Sequence, residues 1–199
     1  MLAWEHKKLM KPLFLENTKY DYFLYLEDDM AFTFENFLYF INCYPSLQPF
    51  GVIPSFLRVE YSALKRCWVN TDCKRPGLAA QHRKITLGSA TYVNPPYPYC
   101  ALYLMDRDMV KEYLASESFD FAGSKQRSNW RTRARSAMGL CYERIPAGFT
   151  SRYVVPVDEQ LHPEVDCYVR HLPNNYALNN SSEFARIDVG EIFIAHHGS

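Results

Sequence analysis

The chain has no net charge. Its 22 lysines and arginines balance 22 aspartates and glutamates over 199 residues. A general nucleic-acid or membrane-surface binder draws its affinity from a basic surface, so partners of those kinds are not expected. No stretch is long and apolar enough to span a bilayer. The opening Met1-Leu2-Ala3-Trp4-Glu5-His6-Lys7-Lys8 is not followed by the apolar core of a signal peptide. The expectation is therefore a cytoplasmic protein if the chain is complete, and the Golgi or secretory lumen if a targeting segment precedes it. No Cys-x-x-Cys pair occurs among Cys43, Cys67, Cys73, Cys100, Cys141 and Cys167, which argues against a structural zinc site. Cys67 and Cys73 either bridge one loop in an oxidising compartment or stay reduced with the others. The overlapping sequons Asn179-Asn180-Ser181 and Asn180-Ser181-Ser182 matter only in a secretory setting. Internal repeats and low-complexity linkers are missing. So is a second acidic cluster, which leaves two-metal phosphoryl transfer without its ligands.

What is present is aromatic content. Phe, Trp and Tyr make up 16% of the residues, with 15 tyrosines, and a chain of this length can bury a sizeable core. Tyrosine and tryptophan suit cores and also offer flat faces with a polar edge to sugar rings. The apolar run Tyr20-Asp21-Tyr22-Phe23-Leu24-Tyr25-Leu26 reads as a buried strand that ends in Glu27-Asp28-Asp29. Adjacent carboxylates repel one another, and a divalent cation removes that penalty. Hard oxygen ligands suit Mg²⁺ or Mn²⁺, which keep several waters and also bind substrate phosphates. The other reading of the tripeptide is an acidic turn ahead of a helix N-terminus.

The surrounding residues carry a resemblance. Tyr22 to Phe40, YFLYLEDDMAFTFENFLYF, resembles the metal-binding segment of GT-A-type glycosyltransferases, and its E-D-D form is similar to that of the N-acetylglucosaminyltransferase I group. Pro95 to Asp108, PPYPYCALYLMDRD, resembles the acceptor-side strand of the same fold. The resemblance implies an α/β domain over residues 1–199, a GT-A-like mixed sheet flanked by helices. The motif starts at residue 27, which leaves room for one helix before it, so part of the N-terminal nucleotide-binding half would be lacking. It also implies Mn²⁺ or Mg²⁺, a nucleotide-diphosphate sugar as donor, a hydroxyl of a glycan or glycoconjugate as acceptor, and inversion. Asp29 would ligate the metal directly. Asp28 would contact the ribose or the metal and its water, and Glu27 would hold the loop or a ligand. His196 or His197 would complete the metal site, or else belong to an exposed tail. The alternative is a non-catalytic carbohydrate-binding or scaffolding domain derived from the same fold.

An inverting transfer needs a carboxylate to take the acceptor proton. Glu143 is the first candidate, against an ion pair with Arg144 or Arg135. Asp106 is the second, against a role as helix N-cap, and Asp108 is a further rival. Arg131 lies in the basic run Lys125, Arg127, Arg131, Arg133, Arg135, which includes Trp130. That run either grips a pyrophosphate or forms a solvated helix face. Arg58 and Glu60 are spaced to share one strand face, either pairing or pointing into a cleft. His171 either contacts phosphate or sugar or belongs to a turn.

The patterning predicts an amphipathic helix over 2–15, with Leu2, His6, Leu9, Met10 and Leu13 inward and Lys7, Lys8 and Lys11 outward. It predicts a strand over 20–26 and a helix capped by Thr33 that runs to about Cys43, with Pro45 and Pro49 in its exit loop. A strand over 52–60, a loop over 70–81, a hairpin arm over 85–93 bent at Gly88 and a strand over 101–105 follow. A helix over 106–115 and helical periodicity over 129–143 come next. Strands over 152–157, 166–171 and 187–195 finish the chain.

Overall fold

The computed structural model describes residues 2–74 and 83–194. The chain opens on a 3-10 turn over Leu2–Trp4, then α1 (Glu5–Met10) and a wide π turn over Lys11–Leu15. The elements that follow are β1 (Tyr22–Leu26), β2 (Met30–Ala31), α2 (Phe34–Leu47), β3 (Ile53–Pro54), β4 (Leu57–Ser62), β5 (Cys67–Asn70), β6 (Lys84–Leu87), β7 (Ala90–Val93) and β8 (Leu102–Asp106). The chain continues through α3 (Arg107–Leu114), α4 (Ser124–Arg127), α5 (Thr132–Ser136), β9 (Tyr153–Val157), β10 (Tyr168–His171), α6 (Asn175–Leu178) and β11 (Ile187–Asp188).

The class is α/β with mixed sheets. Among the described residues the strands form three sheets, ordered β1-β8, β11-β5-β4-β10-β2 and β3-β9-β7-β6. β10 runs parallel to β4 and β3 runs parallel to β9, while the remaining pairs are antiparallel. The main core draws on every part of the chain, from Met10 and Phe14 through Phe40, Leu102, Met105 and Tyr113 to Phe193.

β1 is half-buried rather than buried. Its alternation sends Phe23 and Tyr25 inward, where both stack on Tyr103 of β8. Tyr22 and Leu24 are each 38% exposed. Among the described residues β1 pairs only with β8, and on this outward face Tyr22 packs edge-on against Phe37 at 5.2 Å.

Several elements depart from the sequence expectation for local reasons. The N-terminal helix presents a rotated face. Met10 and Phe14 are buried, Leu9 and Leu13 are 51% and 57% exposed, and Lys7 points inward. The Lys7 ammonium lies 3.6 Å from the centre of the Trp4 ring and donates to the carbonyls of Ser118 and Phe119 at 2.9 and 3.2 Å. α2 carries Pro45 within its last turn, where one missing N–H costs little of the remaining helix. The helical periodicity over 129–143 yields only the five residues of α5. Gly139 stops it: its φ is +51°, and a Cβ there would lie 2.7 Å from Cε of Met105 and 3.0 Å from Cγ of Tyr103. The last strand is β11 alone, because the Asp188 carboxylate caps the amide of Gly190 at 2.9 Å and opens a 3-10 turn. Cys67 is a free thiol beside Asp188, so the Cys67–Cys73 bridge is not formed.

Candidate functional site

The acidic tripeptide joins two sheets. After β1 the amide of Glu27 donates to Ala101 O at 3.1 Å, and the amide of Met30 donates back to Glu27 O at 3.2 Å. This turn delivers β2 onto β10, with Met30 opposite His171. The amide of Leu172 then donates to Asp29 O at 2.8 Å. The tripeptide is thus an acidic turn in backbone terms, and its side chains face three different surroundings.

Glu27 is buried, and its two oxygens accept from the Tyr99 hydroxyl at 2.9 Å and from Arg133 at 3.2 Å. Burial and the Glu27 carboxylate push the Tyr99 phenol well above its usual range. The same carboxylate raises Arg133. Asp28 is exposed and lines a separate hollow with Ala3, Tyr25 and Leu26. Asp29 turns the other way. Its Oδ2 lies 3.3 Å from Nε2 of His171, and its Oδ1 is buried with no hydrogen-bond partner among the described residues.

Asp29 lines a cleft of about 670 Å³. One wall is the five-stranded sheet. Arg58 and Glu60 share one face of β4, as their spacing requires, but they pair with other residues. Arg58 meets Asp72 through a two-point ion pair at 2.7 and 3.1 Å. The Asn70 side chain shapes the loop that presents Asp72, accepting from the amides of Asp72 and Cys73 at 3.0 and 2.6 Å. Burial opposes the Arg58 charge, and Asp72 more than restores it. Glu60 is fully buried. It faces Nδ1 of His171 at 2.5 Å and accepts from the amide of Ala177 at 2.5 Å. The segment after β10 is held to β4 by Asn174, whose amide exchanges hydrogen bonds with the Tyr61 backbone at 2.9 and 3.0 Å.

The facing wall carries Tyr97, Tyr99, Trp130, Arg131 and Arg133. Arg135 donates to Trp130 O at 2.8 Å, and the Trp130 indole donates to Tyr142 at 2.9 Å, so the ring is fixed at both ends. Tyr99 stacks on Trp130 at 5.8 Å. Arg58 lies 5.1 Å from the Tyr99 ring and 5.8 Å from the Tyr176 ring, and Tyr176 stacks on His171 at 5.3 Å. Four rings and the Arg58 guanidinium therefore form one continuous ladder, Trp130–Tyr99–Arg58–Tyr176–His171. No family model, no curated protein and no solved structure matches this chain.

Of the residues singled out in the sequence, the cleft gathers Glu27, Asp29, Arg58, Trp130, Arg131, Arg133 and His171. It does not gather Asp28, Glu143 or Asp106. Glu143 is buried, accepting from the amide of Ser118 at 2.7 Å with Arg127 at 3.7 Å, so its carboxylate organises the loop before α4. Asp106 caps α3 through the amide of Met109 at 2.8 Å. It pairs with Tyr22 at the far end of β1, five residues and roughly 17 Å from Glu27 at the acidic turn. His196 and His197 lie outside the described residues. Of the basic run, Lys125 sits over Phe121, Arg127 pairs with Glu117 and Arg135 is buried, so only Arg131 and Arg133 reach the cleft.

Sequence reasoning missed Asp72, Tyr99, Tyr176 and the centrality of His171. The one usable signal was the polar cluster His171-Leu172-Pro173-Asn174-Asn175-Tyr176, which reads as a turn. Among the described residues no group of three or more His, Cys, Asp or Glu side chains is arranged to hold a metal. Metal binding here would rest on the Asp29 carboxylate, with waters and substrate oxygens filling the other positions. Mg²⁺ and Mn²⁺ accept such an arrangement.

Proposed function

We propose that this chain is a metal-dependent glycosyltransferase of the GT-A type, moving a sugar from a nucleotide-diphosphate donor to a hydroxyl of a glycan or glycoconjugate with inversion. The observation that carries this reading is the Asp29 carboxylate, placed on the wall of a cleft of about 670 Å³ that Arg131 and Arg133 also line. A bound Mn²⁺ or Mg²⁺ would act as a Lewis acid on the departing diphosphate. Arg131 and Arg133 are exposed on the cleft wall, and their planar guanidinium forks match phosphate oxygens. Trp130, Tyr97 and Tyr176 offer flat apolar faces to a sugar ring.

The acceptor proton needs a carboxylate within reach. Four carboxylates line the cleft: Glu27, Asp29, Asp72 and Glu183. Glu27 is bound by Tyr99 and Arg133, Asp72 is bound by Arg58, and Asp29 is the metal candidate. Glu183 pairs with Lys74 at 2.8 Å on the exposed rim. The Lys74 contact lowers its pKa. It is the base candidate in place of Glu143 and Asp106.

The paired state of most cleft charges and the stacked Tyr99–Trp130 pair favour a second reading, carbohydrate binding without transfer. Calorimetry with Mn²⁺ and a panel of UDP- and GDP-sugars separates the two. Transfer predicts nucleotide-sugar binding that requires Mn²⁺ and is abolished in Asp29→Ala. Glycan binding that is indifferent to metal and to Asp29 would replace the first reading with the second.

A further inference from the structure

We propose that β1 is an interface at which a second copy of this chain docks, strand against strand, around a two-fold axis. The sheet β1-β8 has one sheltered strand and one open one. β8 is buried over its first four residues, whereas β1 alternates between exposed and half-buried positions. The amide of Glu27 donates to the carbonyl of Ala101, the residue opposite it, so Glu27, Tyr25 and Phe23 direct their backbone groups at β8. The N–H and C=O groups of Tyr22, Leu24 and Leu26 therefore point to the open edge, where no strand among the described residues meets them.

Nothing on β1 discourages further pairing. Edge strands are commonly protected by a charge, a proline or a bulge, and Tyr22-Phe23-Leu24-Tyr25-Leu26 has none of these. Exposed apolar side chains flank the edge on both faces. On one face His6 lies against Tyr25 and Phe14 against Phe23, and Leu9 and Leu13 of the same segment stay exposed. On the other, α2 packs through Phe37 onto Tyr22 and leaves Phe34 67% exposed. A hollow of about 240 Å³ follows the edge between Leu9, Leu13, Tyr20 and Leu24.

Charge points to a copy of the chain as the occupant. Lys19 lies beyond one end of β1 and Asp28 beyond the other. Both are exposed, and among the described residues neither stands in an ion pair. An antiparallel copy brings Lys19 of each chain to the acidic turn of the other, at both ends, whereas a parallel copy sets like charges side by side. With Leu24 on the axis all five residues pair, Tyr22 opposite Leu26 of the second copy, and the open N–H and C=O groups meet one another. Asp21 falls opposite Glu27 of the second copy, whose charge Arg133 already balances at 3.2 Å. The axis stands perpendicular to the sheet, so Leu9 and Leu13 meet their own counterparts. Lys8 and Lys11 beside them pair with Glu5 and Glu16 at 2.7 and 3.8 Å, which lets this face approach itself without bare lysines. The product is one four-stranded sheet, β8-β1-β1-β8, closed by symmetry.

Sedimentation velocity of the whole chain over a concentration series tests this, with hydrogen exchange of the β1 amides followed at both ends of the series. We expect a dimer that dissociates on dilution, and protection of the Tyr22, Leu24 and Leu26 amides only in the dimer. Leu24→Lys puts two like charges on the axis and should leave a monomer at concentrations where the unmodified chain is dimeric, with an unchanged circular dichroism spectrum. Lys19→Glu should weaken the dimer, and combining it with Asp28→Lys should restore it. That charge exchange leaves the strand itself intact, so it reads the interface even where Leu24→Lys fails to fold. A chain that stays monomeric throughout the series would overturn the proposal. So would a dimer indifferent to the charge exchange and to Leu24→Lys, whose interface must lie elsewhere, or growth into larger oligomers, which a closed two-fold contact does not allow.

Discussion

His6 and Lys7 stand side by side on α1, and the fold drives both toward their neutral forms. Burial pushes the His6 imidazole down to about 4, with the Lys7 charge adding to it and the Ala3 backbone opposing. Burial pushes the Lys7 ammonium down to about 7, against the attraction of Asp120 and with the repulsion of Arg135. In both cases the folded chain binds fewer protons than the unfolded chain between the two pKa values. Stability therefore rises with pH from about 7 to 10.5 for Lys7 and from about 4 to 6.5 for His6, and acid weakens the fold. His6 keeps a hydrogen-bonding contact with the Tyr103 hydroxyl at 2.8 Å and packs against the Tyr25 ring, tilted by 33°, at 4.1 Å. Replacing it with glutamine should flatten the stability–pH curve between pH 6.5 and 4 by about 2 kcal/mol, a shift discounted for partial solvent screening. Urea unfolding of the two chains at pH 7, 5.5 and 4 reads this difference, and parallel curves would refute it. Nothing in the local sequence announced these shifts. The helical period marked His6 as inward, but it also marked Lys7 as outward, because the pattern does not register the Trp4 ring and the two carbonyls that receive the ammonium.

The helix that follows the acidic turn was readable at its start. Thr33 caps α2 as expected, accepting from the amide of Asn36 at 3.3 Å while the Asn36 side chain accepts from the amide of Thr33 at 2.9 Å. Asn36 does more than close the cap. Its amide donates to the carbonyls of Asp166 and Tyr168 at 2.7 and 2.9 Å, tying α2 to the start of β10, the strand that carries His171. Thr33→Ala removes one capping acceptor and should cost about 1 kcal/mol. Asn36→Ala removes the reciprocal acceptor and leaves two carbonyls without their donor in a side chain that is 2% exposed, and it should cost about 2–4 kcal/mol. Denaturant midpoints of the two variants test the order, and a Thr33 effect equal to that of Asn36 would contradict it. A capping motif is a short-range pattern and shows in the sequence. The contact from residue 36 to residues 166 and 168 depends on which strand arrives beside the helix, which short-range pattern cannot express.

Across the whole molecule, the cleft is assembled from the acidic turn, β4, the loops after β5 and β10, the segment before β8 and the start of α5. The Arg58–Asp72 pair spans two of these pieces, with both side chains under 10% exposed. Asp72→Ala strands a buried guanidinium and should cost about 3–5 kcal/mol in unfolding free energy while also loosening the Tyr99–Arg58–Tyr176 ladder. An effect below about 1 kcal/mol would show that solvent reaches Arg58 freely. The sequence by itself determined the α/β class, the strand that ends in Glu27-Asp28-Asp29, the Thr33 cap, the bend at Gly88, and the shared face of Arg58 and Glu60. Each follows from a period of two or 3.6 residues, or from the chemistry of a single turn. Only the tertiary structure decided that His171 stands between Glu60 and Asp29, that Asp28 faces a different hollow, and that Glu143 and Asp106 serve loop and cap. Those outcomes depend on the parallel pairing of β10 with β4 and the antiparallel pairing of β1 with β8, contacts between residues roughly 80–110 positions apart. A side chain's partner across such a distance is set by strand order and register, which the packing of the whole core selects.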